Sequence, residues 1–313
     1  MSSQTAERRE AERERQSARG RAREAERKRQ SARDSVADMV ETVPLNTGAR
    51  MPSIGFGTWP LDDAGAAEAV ASAIEVGYRH IDTATRYGNE AGVAEGIRRS
   101  GVDREDIFVT TKLDGEFQGD DRARDGLAAS LERMQLDAVD LLLIHWPLPA
   151  RGDYVSTWKT FESLAVSGQA RAIGVSNFLP EHLEELAAAS GVVPAVNQIQ
   201  CNPYVTREES RVYHRDHGIV TVSWGPLGGA RFDVLGDRVL AGVAEEVGRT
   251  VAQVVLRWHL QLELVAIPKT SSPARMAENL DVFDFELTPS QMIRIASLSQ
   301  GPGVGVNPAV DGH

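Results

Sequence analysis

The chain has 313 residues, 42% hydrophobic, 25% charged and 6% aromatic, the make-up of an ordinary globular protein with enough apolar side chains for a sizeable core. No run approaches the roughly 18 apolar residues of a membrane span, and the first residues lack the apolar centre of a secretory leader, so a cytoplasmic protein is expected. A single cysteine, Cys201, excludes an intramolecular disulfide and a cysteine-based zinc site, which fits a reducing compartment and predicts no metal.

The formal charge of −11 combines two unlike parts. Residues 1–34 hold ten Arg and one Lys against six Glu and one Asp, a surplus of four positive charges, which leaves 23 basic and 38 acidic side chains to the rest. Residues 1–38 are written almost entirely in Ala, Arg, Glu, Gln and Ser, with Gln-Ser-Ala-Arg at 16–19 and again at 30–33. Charges occupy the positions an apolar seam would need, so no coiled coil is expected. This segment reads as a charged tail, disordered or loosely helical. Its arginines invite a nucleic-acid reading, but interleaved Glu cancels much of the field and no aromatic residue is available to stack on bases. Met39 precedes the first strand-like segment and offers an alternative translation start, so residues 39–313 read as one domain.

In that domain β-rich runs alternate with amphipathic stretches. A hairpin is predicted from 43–46 and 51–54, joined by Thr47-Gly48-Ala49-Arg50. Strands are predicted at 53–57, 80–83, 107–111, 140–144, 172–175, 195–199, 219–223 and 265–268. Helices are predicted at 64–75, 89–99, 121–134, 153–167, 180–189, 206–216, 237–247 and 273–281, with two extra helical patterns at 250–261 and 288–298. Eight strand–helix repeats without a composition break predict an α/β fold, a (β/α)8 TIM barrel with an N-terminal β-hairpin and two extra helices. A doubly wound sheet would call for a Gly-rich phosphate turn. Gly55-Phe56-Gly57 is the nearest candidate, but Thr58-Trp59-Pro60 follows it, with no third glycine and no Walker sequence elsewhere.

Chemistry in a barrel sits where the strands end. Those ends read His80-Ile81-Asp82-Thr83 with Tyr87 in the next loop, Thr110-Thr111-Lys112, Ile144-His145-Trp146-Pro147, Val175-Ser176-Asn177, Val196-Asn197-Gln198 and Ser223-Trp224-Gly225-Pro226. Asp82, Tyr87, Lys112 and His145 form a coherent set. A lysine ammonium beside a phenol is expected to lower the tyrosine pKa, an aspartate holds that lysine charged, and a histidine donates to a carbonyl oxygen. The set suits protonation of a carbonyl oxygen while hydride arrives at carbon. It lacks the second free carboxylate of a glycosidase and the Ser–His pairing of a hydrolase. Singly, each residue has a plainer role: a capping Asp, a turn Tyr, a surface Lys, a core His.

Together with their surroundings these residues resemble the aldo-keto reductase superfamily. The resemblance rests on Gly77-Tyr78-Arg79-His80-Ile81-Asp82-Thr83-Ala84 with Tyr87-Gly88-Asn89-Glu90, on Thr111-Lys112-Leu113, and on Leu142-Leu143-Ile144-His145-Trp146-Pro147. It continues in Ile173-Gly174-Val175-Ser176-Asn177-Phe178, Val196-Asn197-Gln198 and Ile267-Pro268-Lys269-Thr270, and spans about residues 43 to 300. Trp224-Gly225-Pro226-Leu227-Gly228 and Asp281-Val282-Phe283-Asp284-Phe285 look most like the bacterial 2,5-diketo-D-gluconate reductases. The resemblance implies an NADPH-dependent carbonyl reductase, monomeric, acting on an aldehyde or ketone such as a keto-sugar acid or another small carbonyl compound. Tyr87 would be the general acid, Lys112 and Asp82 its supporting pair, and His145 the residue that orients the carbonyl. Ser176, Asn177 and Gln198 would bond the nicotinamide carboxamide, with Trp224 stacked on the ring. Thr58, Trp59, Asp82, Gly225, Pro226 and Leu227 would border the cofactor. Lys269, Thr270, Ser271, Ser272, Arg275, Glu278 and Asn279 would take the adenosine end, the two cations serving a 2′-phosphate. Trp59, Tyr87, Asp114, His145 and Trp146 would wall the substrate pocket.

Two departures bear on substrate. Asp114 stands where the related enzymes usually carry Trp, an exchange expected to disfavour anionic sugar acids by repulsion. Gln200-Cys201-Asn202-Pro203 replaces the usual Glu-x-His-Pro. Two other functions fit the same barrel: a Schiff-base aldolase using Lys112, and a non-catalytic, cofactor-sensing protein that uses its tail for partners.

Overall fold

A computed structural model of the chain describes residues 40–301 and 303–312. The tail predicted over residues 1–38, and the boundary at residue 39, lie outside the described residues. The order begins with an antiparallel hairpin, β1 (Thr42–Pro44) and β2 (Arg50–Pro52), in which Val43 is opposite Met51. Eight parallel strands follow: β3 (Phe56–Gly57), β4 (His80–Asp82), β5 (Phe108–Leu113), β6 (Val139–Ile144), β7 (Ala170–Ser176), β8 (Val196–Gln200), β9 (Val220–Trp224) and β10 (Val265–Ile267), each bonded to the next. The two ends of this series meet. Ile54 bridges Ala266, the Gly55 amide donates to Ala266 O at 2.9 Å, and the Ala266 amide donates to Ser53 O at 3.0 Å. The sheet therefore closes into the predicted barrel. Its first strand is regular only at Phe56–Gly57, shorter than the expected 53–57. At Gly55 the backbone passes so close to the β4 side that a Cβ would lie 2.6 Å from His80 Nδ1.

Helices connect the strands in the predicted order: α1 (Asp63–Val76), α2 (Glu90–Ser100), α3 (Asp120–Met134), α4 (Tyr154–Val166), α5 (Pro180–Ala189), α6 (Glu208–Asp216), α7 (Arg238–Val247), α8 (Val251–Gln261), α9 (Pro273–Leu280) and α10 (Pro289–Ala296). Local chemistry sets their ends. Asp62 caps α1 by accepting from the Gly65 amide, and Thr250–Gln253 and Thr288–Gln291 form capping boxes that open α8 and α10. Among the described residues no helix is long and apolar enough to cross a membrane.

Most positions of the parallel strands are buried on both faces, which is why β6 runs Leu-Leu-Leu-Ile without alternation, its one charge, Asp140, being ion-paired with Arg104 and Arg171. Leu141 and Leu143 join Phe108, Ala172, Val196, Val222 and Val265 in one cluster, and Leu45 and Met51 of the hairpin complete it. The hairpin thus seals the end where strands begin, and each such buried side chain contributes about 1.5–3 kcal/mol. The opposite end is left for polar residues.

Two features of this packing are open to test. The face of α1 carrying Ala66, Ala67, Val70 and Ala73 lets α2 approach to backbone distance, so that a Cβ on Gly92 would sit 2.1 Å from Asp63 O. Gly92→Ala is expected to cost about 1–3 kcal/mol of overpacking, read as a lowered urea midpoint with an unchanged slope. The second feature is His214 on α6, held neutral. Its Nδ1 bonds Thr221 Oγ1 at 2.8 Å and its Nε2 meets Asn197 Nδ2 at 2.9 Å, and burial lowers its pKa to about 4. The unfolded chain therefore binds a proton that the folded chain refuses between about pH 6.5 and 4. Stability is intact above that window and falls as pH drops through it. His214→Asn should flatten the pH dependence of the unfolding free energy there by up to about 1.4 kcal/mol per pH unit.

Candidate active site

Every strand of a parallel barrel delivers its last residues to one face, and register decides which of them meet. Gly57 is level with Asp82, Asp82 with Thr110, Lys112 with Leu143, Ser176 with Gln198, and Gln200 with Trp224. Asp82 ends β4 and Lys112 is next to last in β5. The buried Lys112 ammonium donates to Asp82 Oδ1 at 2.5 Å and to Thr83 O at 2.9 Å, and reaches the Tyr87 hydroxyl at 3.5 Å. Its three protons thus go to a carboxylate, a carbonyl and a phenol. The second Asp82 oxygen accepts from Gln198 Nε2 at 2.7 Å, a bond that reaches from β4 to β8 across the mouth.

Burial opposes the Lys112 charge, but the Asp82 carboxylate and Tyr87 outweigh it, and the lysine pKa lies above its ordinary value. Tyr87 is also raised: burial pushes its phenol up, and the Lys112 charge pulls back only part of that. The sequence-based expectation of a net lowered tyrosine pKa is corrected here. Lys112 acts in the expected direction, and desolvation exceeds it. At neutral pH the phenol keeps its proton and is a donor.

Tyr87 sits on a single turn, Thr85–Tyr87, that ends at Gly88 in the left-handed region with φ +65°. Thr85 pins this turn, donating to Lys112 O at 3.1 Å and accepting from the Asp114 amide at 3.0 Å. Asn89, buried, donates to Thr58 O and Leu61 O and accepts from Thr83 Oγ1. Thr83, Thr85 and Asn89 are absent from the predicted set. They hold backbone and neighbouring side chains rather than facing the opening, and the sequence signalled Thr83 only as the end of a strand and Asn89 only as the start of a helical pattern.

His145 follows β6, its amide donating to Leu113 O at 3.1 Å, and its ring stands edge-on to Tyr87 with centroids 5.8 Å apart. The Trp59 ring, 56% exposed, lies 5.2 Å from that of Tyr87. Thr58 is buried and its hydroxyl donates to Asp82 O. Asn177 ties the far side together. Its amide and the Ser176 hydroxyl both donate to Gln198 O, its side-chain nitrogen donates to His145 O at 3.1 Å, and its side-chain oxygen accepts from Trp224 Nε1 at 2.8 Å. Its φ of +62° suits asparagine, which tolerates the left-handed region. The half-buried Trp224 indole is thereby held in one orientation, and space is open above Gly225, at φ +63°, in the turn that leads into Pro226 and Leu227.

Asp114 is buried and forms an ion pair with Arg86, half exposed, at 3.3 Å. The acidic wall expected from the Trp-to-Asp departure is therefore largely neutralised by the residue beside Tyr87. Trp146 is buried, and its carbonyl accepts from Gln118 Nε2 at 2.6 Å.

The residues expected at the adenosine end form a separate group around the start of α9. Ser272 caps this helix, Lys269 and Arg275 are exposed, and the Lys269 ammonium reaches Ser271 Oγ at 3.3 Å, with Thr270 bonding the Ser272 amide. Among the described residues neither cation has a carboxylate within ion-pairing distance. Glu278 accepts from Thr250 Oγ1, and Asn279 is buried close to Tyr78, whose hydroxyl donates to Met276 O at 3.3 Å. Two such cations beside capped helix amides suit a phosphate.

The profile of the aldo/keto reductase family matches residues 53–300. The chain is 47% identical over 277 residues to morphine 6-dehydrogenase of Pseudomonas putida, covering 85% of this chain and 94% of that one. It is 41% identical to methylglyoxal reductase DkgA of Escherichia coli, covering 85% of this chain and 96% of that one. The structure of a Gox0644 mutant in complex with NADPH superposes with a TM-score of 0.83 at 43% identity, covering 88% of this chain and 99% of that one. The chain belongs to the aldo/keto reductase family.

Proposed function

We propose that this protein reduces a small aldehyde or ketone to the alcohol, with NADPH as cofactor and Tyr87 as proton donor. The observation that supports this most is the Lys112 ammonium, shared at 2.5 Å with Asp82 and at 3.5 Å with the Tyr87 hydroxyl. NADPH, when bound, supplies a hydride to the carbonyl carbon. Tyr87 gives its proton to the carbonyl oxygen, and Lys112 stabilises the phenolate that remains. Asp82 keeps Lys112 charged and aimed, and Gln198 keeps Asp82 in place. His145 orients the carbonyl beside Tyr87.

The residues fit the cofactor. Trp224, locked by Asn177, offers a ring face for the nicotinamide, and Ser176, Asn177 and Gln198 border its carboxamide. Gly225, Pro226 and Leu227, with Thr58 and Trp59, line the approach. Lys269, Thr270, Ser271, Ser272 and Arg275 would hold the 2′-phosphate end. Glu278 and Asn279 border the adenosine, with Glu278 fixed by its bond from Thr250.

The Schiff-base alternative loses support, because an amine paired with Asp82 and raised in pKa is a poor nucleophile. On this reading the enzyme is a cytoplasmic monomer built on one domain from residue 39, with no nucleic-acid partner. The substrate is a neutral carbonyl compound rather than diketogluconate, since an ion-paired wall offers a carboxylate no unopposed cation.

Tyr87→Phe should lower NADPH-dependent turnover of 4-nitrobenzaldehyde at least a thousand-fold and leave NADPH binding within about two-fold by fluorescence titration; near-normal turnover would overturn the assignment. Arg275→Ala should weaken NADPH about 10- to 100-fold while NADH is little changed, the loss of one charge-assisted bond to phosphate. Asp114→Asn frees Arg86 and should raise kcat/KM for 4-carboxybenzaldehyde relative to 4-nitrobenzaldehyde by about five-fold, as measured in parallel steady-state assays.

A further inference from the structure

Beyond α10 the chain returns to the mouth of the barrel. The Gln300 amide donates to Tyr204 O at 2.9 Å, and Ser299 Oγ meets Thr206 Oγ1 at 3.1 Å. Residues 303–312 then run from the end of β8 to the segment after β6. At the β8 side the Val306 amide donates to Gln200 Oε1 at 2.8 Å, and Arg207 Nη2 donates to Val306 O at 2.5 Å. Arg207 Nε turns back to Gln200 O at 3.4 Å. Gly305, at φ +91°, fits so closely that a Cβ would lie 2.5 Å from Gln200 Oε1. At the β6 side Gly312 rests on Trp146 and Leu148, where a Cβ would lie 3.3 Å from Trp146 Cβ. Between these points an internal turn holds the segment in shape. Asn307 O accepts from the Val310 and Asp311 amides, and Asp311 Oδ2 accepts from the Asn307 amide.

The segment therefore forms a strap over the end of β7. Asn177, Phe178 and Leu179 lie beneath it and share a cleft with Val306 and Pro308. Among the described residues Arg207 has no carboxylate within ion-pairing distance. Its guanidinium is committed to backbone carbonyls of the strap and of β8, an uncommon use for a partly buried charge and one that serves position rather than charge balance. Gln200 is part of the departure from the usual Glu-x-His-Pro and supplies the matching acceptor.

We infer that Arg207 and Gln200 latch the C-terminal strap in place, and that through it Arg207 is a positioning residue for the carbonyl substrate. The strap joins Trp146, a wall of the substrate opening, to the loop that carries Asn177. Releasing it enlarges the opening, while Tyr87, Lys112 and the adenosine end stay as they are. The inference rests on the reductase reading for its effect on substrate and on geometry alone for the latch. Its test has two independent readouts in the full-length protein.

Hydrogen–deuterium exchange should show residues 303–312 protected in the wild type, and exchanging at least ten-fold faster in Arg207→Ala with the barrel strands unchanged. In steady-state assays with 4-nitrobenzaldehyde, Arg207→Ala should raise KM about ten-fold, with kcat within about three-fold and NADPH affinity unchanged. Arg207→Lys, which can still donate to Val306 O, should restore most of the loss. Gln200→Ala should act alike, and the double variant should be little worse than either single one, because a strap already released has no latch left to lose. Unchanged exchange in Arg207→Ala sinks the latch whether or not the protein is a reductase. Faster exchange with an unchanged KM sinks the link to substrate, and additive losses in the double variant sink the shared latch. An inactive wild type with faster exchange in the variant overturns the reductase reading and leaves the latch standing.

Discussion

A charged amine buried inside a protein is tolerable only if every one of its donors is met, and Lys112 meets that condition with Asp82, Thr83 and Tyr87. Much of the mouth of the barrel follows from satisfying it. Asp82 must carry its own charge in a dry setting, so Gln198 reaches across from β8 to occupy its second oxygen. Thr83 must present its carbonyl to the lysine, so its side chain is anchored to Asn89, which also holds the backbone at Thr58 and Leu61. Tyr87 must stay beside the ammonium, so Thr85 ties its turn to the end of β5. A single buried charge thus organises residues from β4, β5 and β8 and the segment that follows β3.

Asn177 plays the corresponding part on the other side of the opening. One side chain in the left-handed region fixes the Trp224 indole and the carbonyl of His145, while its own amide is bonded to Gln198 O. The proton-donating side and the side that would face a nicotinamide are therefore joined through one residue, Gln198. Its side chain serves Asp82 and its carbonyl serves Ser176 and Asn177. Such a network is rigid because most of its polar groups are bonded to one another. That rigidity is what preorganised electrostatic catalysis requires.

Electrostatics at the rim follow a different logic from those at the centre. Asp114, expected to make its surroundings acidic, is ion-paired with Arg86, adjacent to Tyr87 in sequence. Lys269 and Arg275 place two exposed positive charges on an otherwise acidic body, which suits the phosphate proposed there. Net charge describes the surface as a whole and says little about either place.

The barrel was legible in the chain because its signal is periodic: buried parallel strands read as short apolar runs, and helices as amphipathic ones. The polar residues that end or follow these runs lie on one face of the barrel, so the sequence could group Asp82, Tyr87, Lys112 and His145 by position and chemistry, and the structure brings them together. What escaped was whatever depends on distance between segments far apart in the chain. No spacing rule links Gln198 to Asp82, Arg86 to Asp114, or Arg207 to Val306, since those pairs meet only after the sheet has closed through Ile54 and Ala266. The sign of the Tyr87 shift belongs here too. Sequence supplies the neighbouring charge, but burial, a property of the folded whole, is the larger effect. Residue order was sufficient for which groups are present and on which face they lie; closure of the barrel decided which of them touch, how dry they are, and hence what state each one holds.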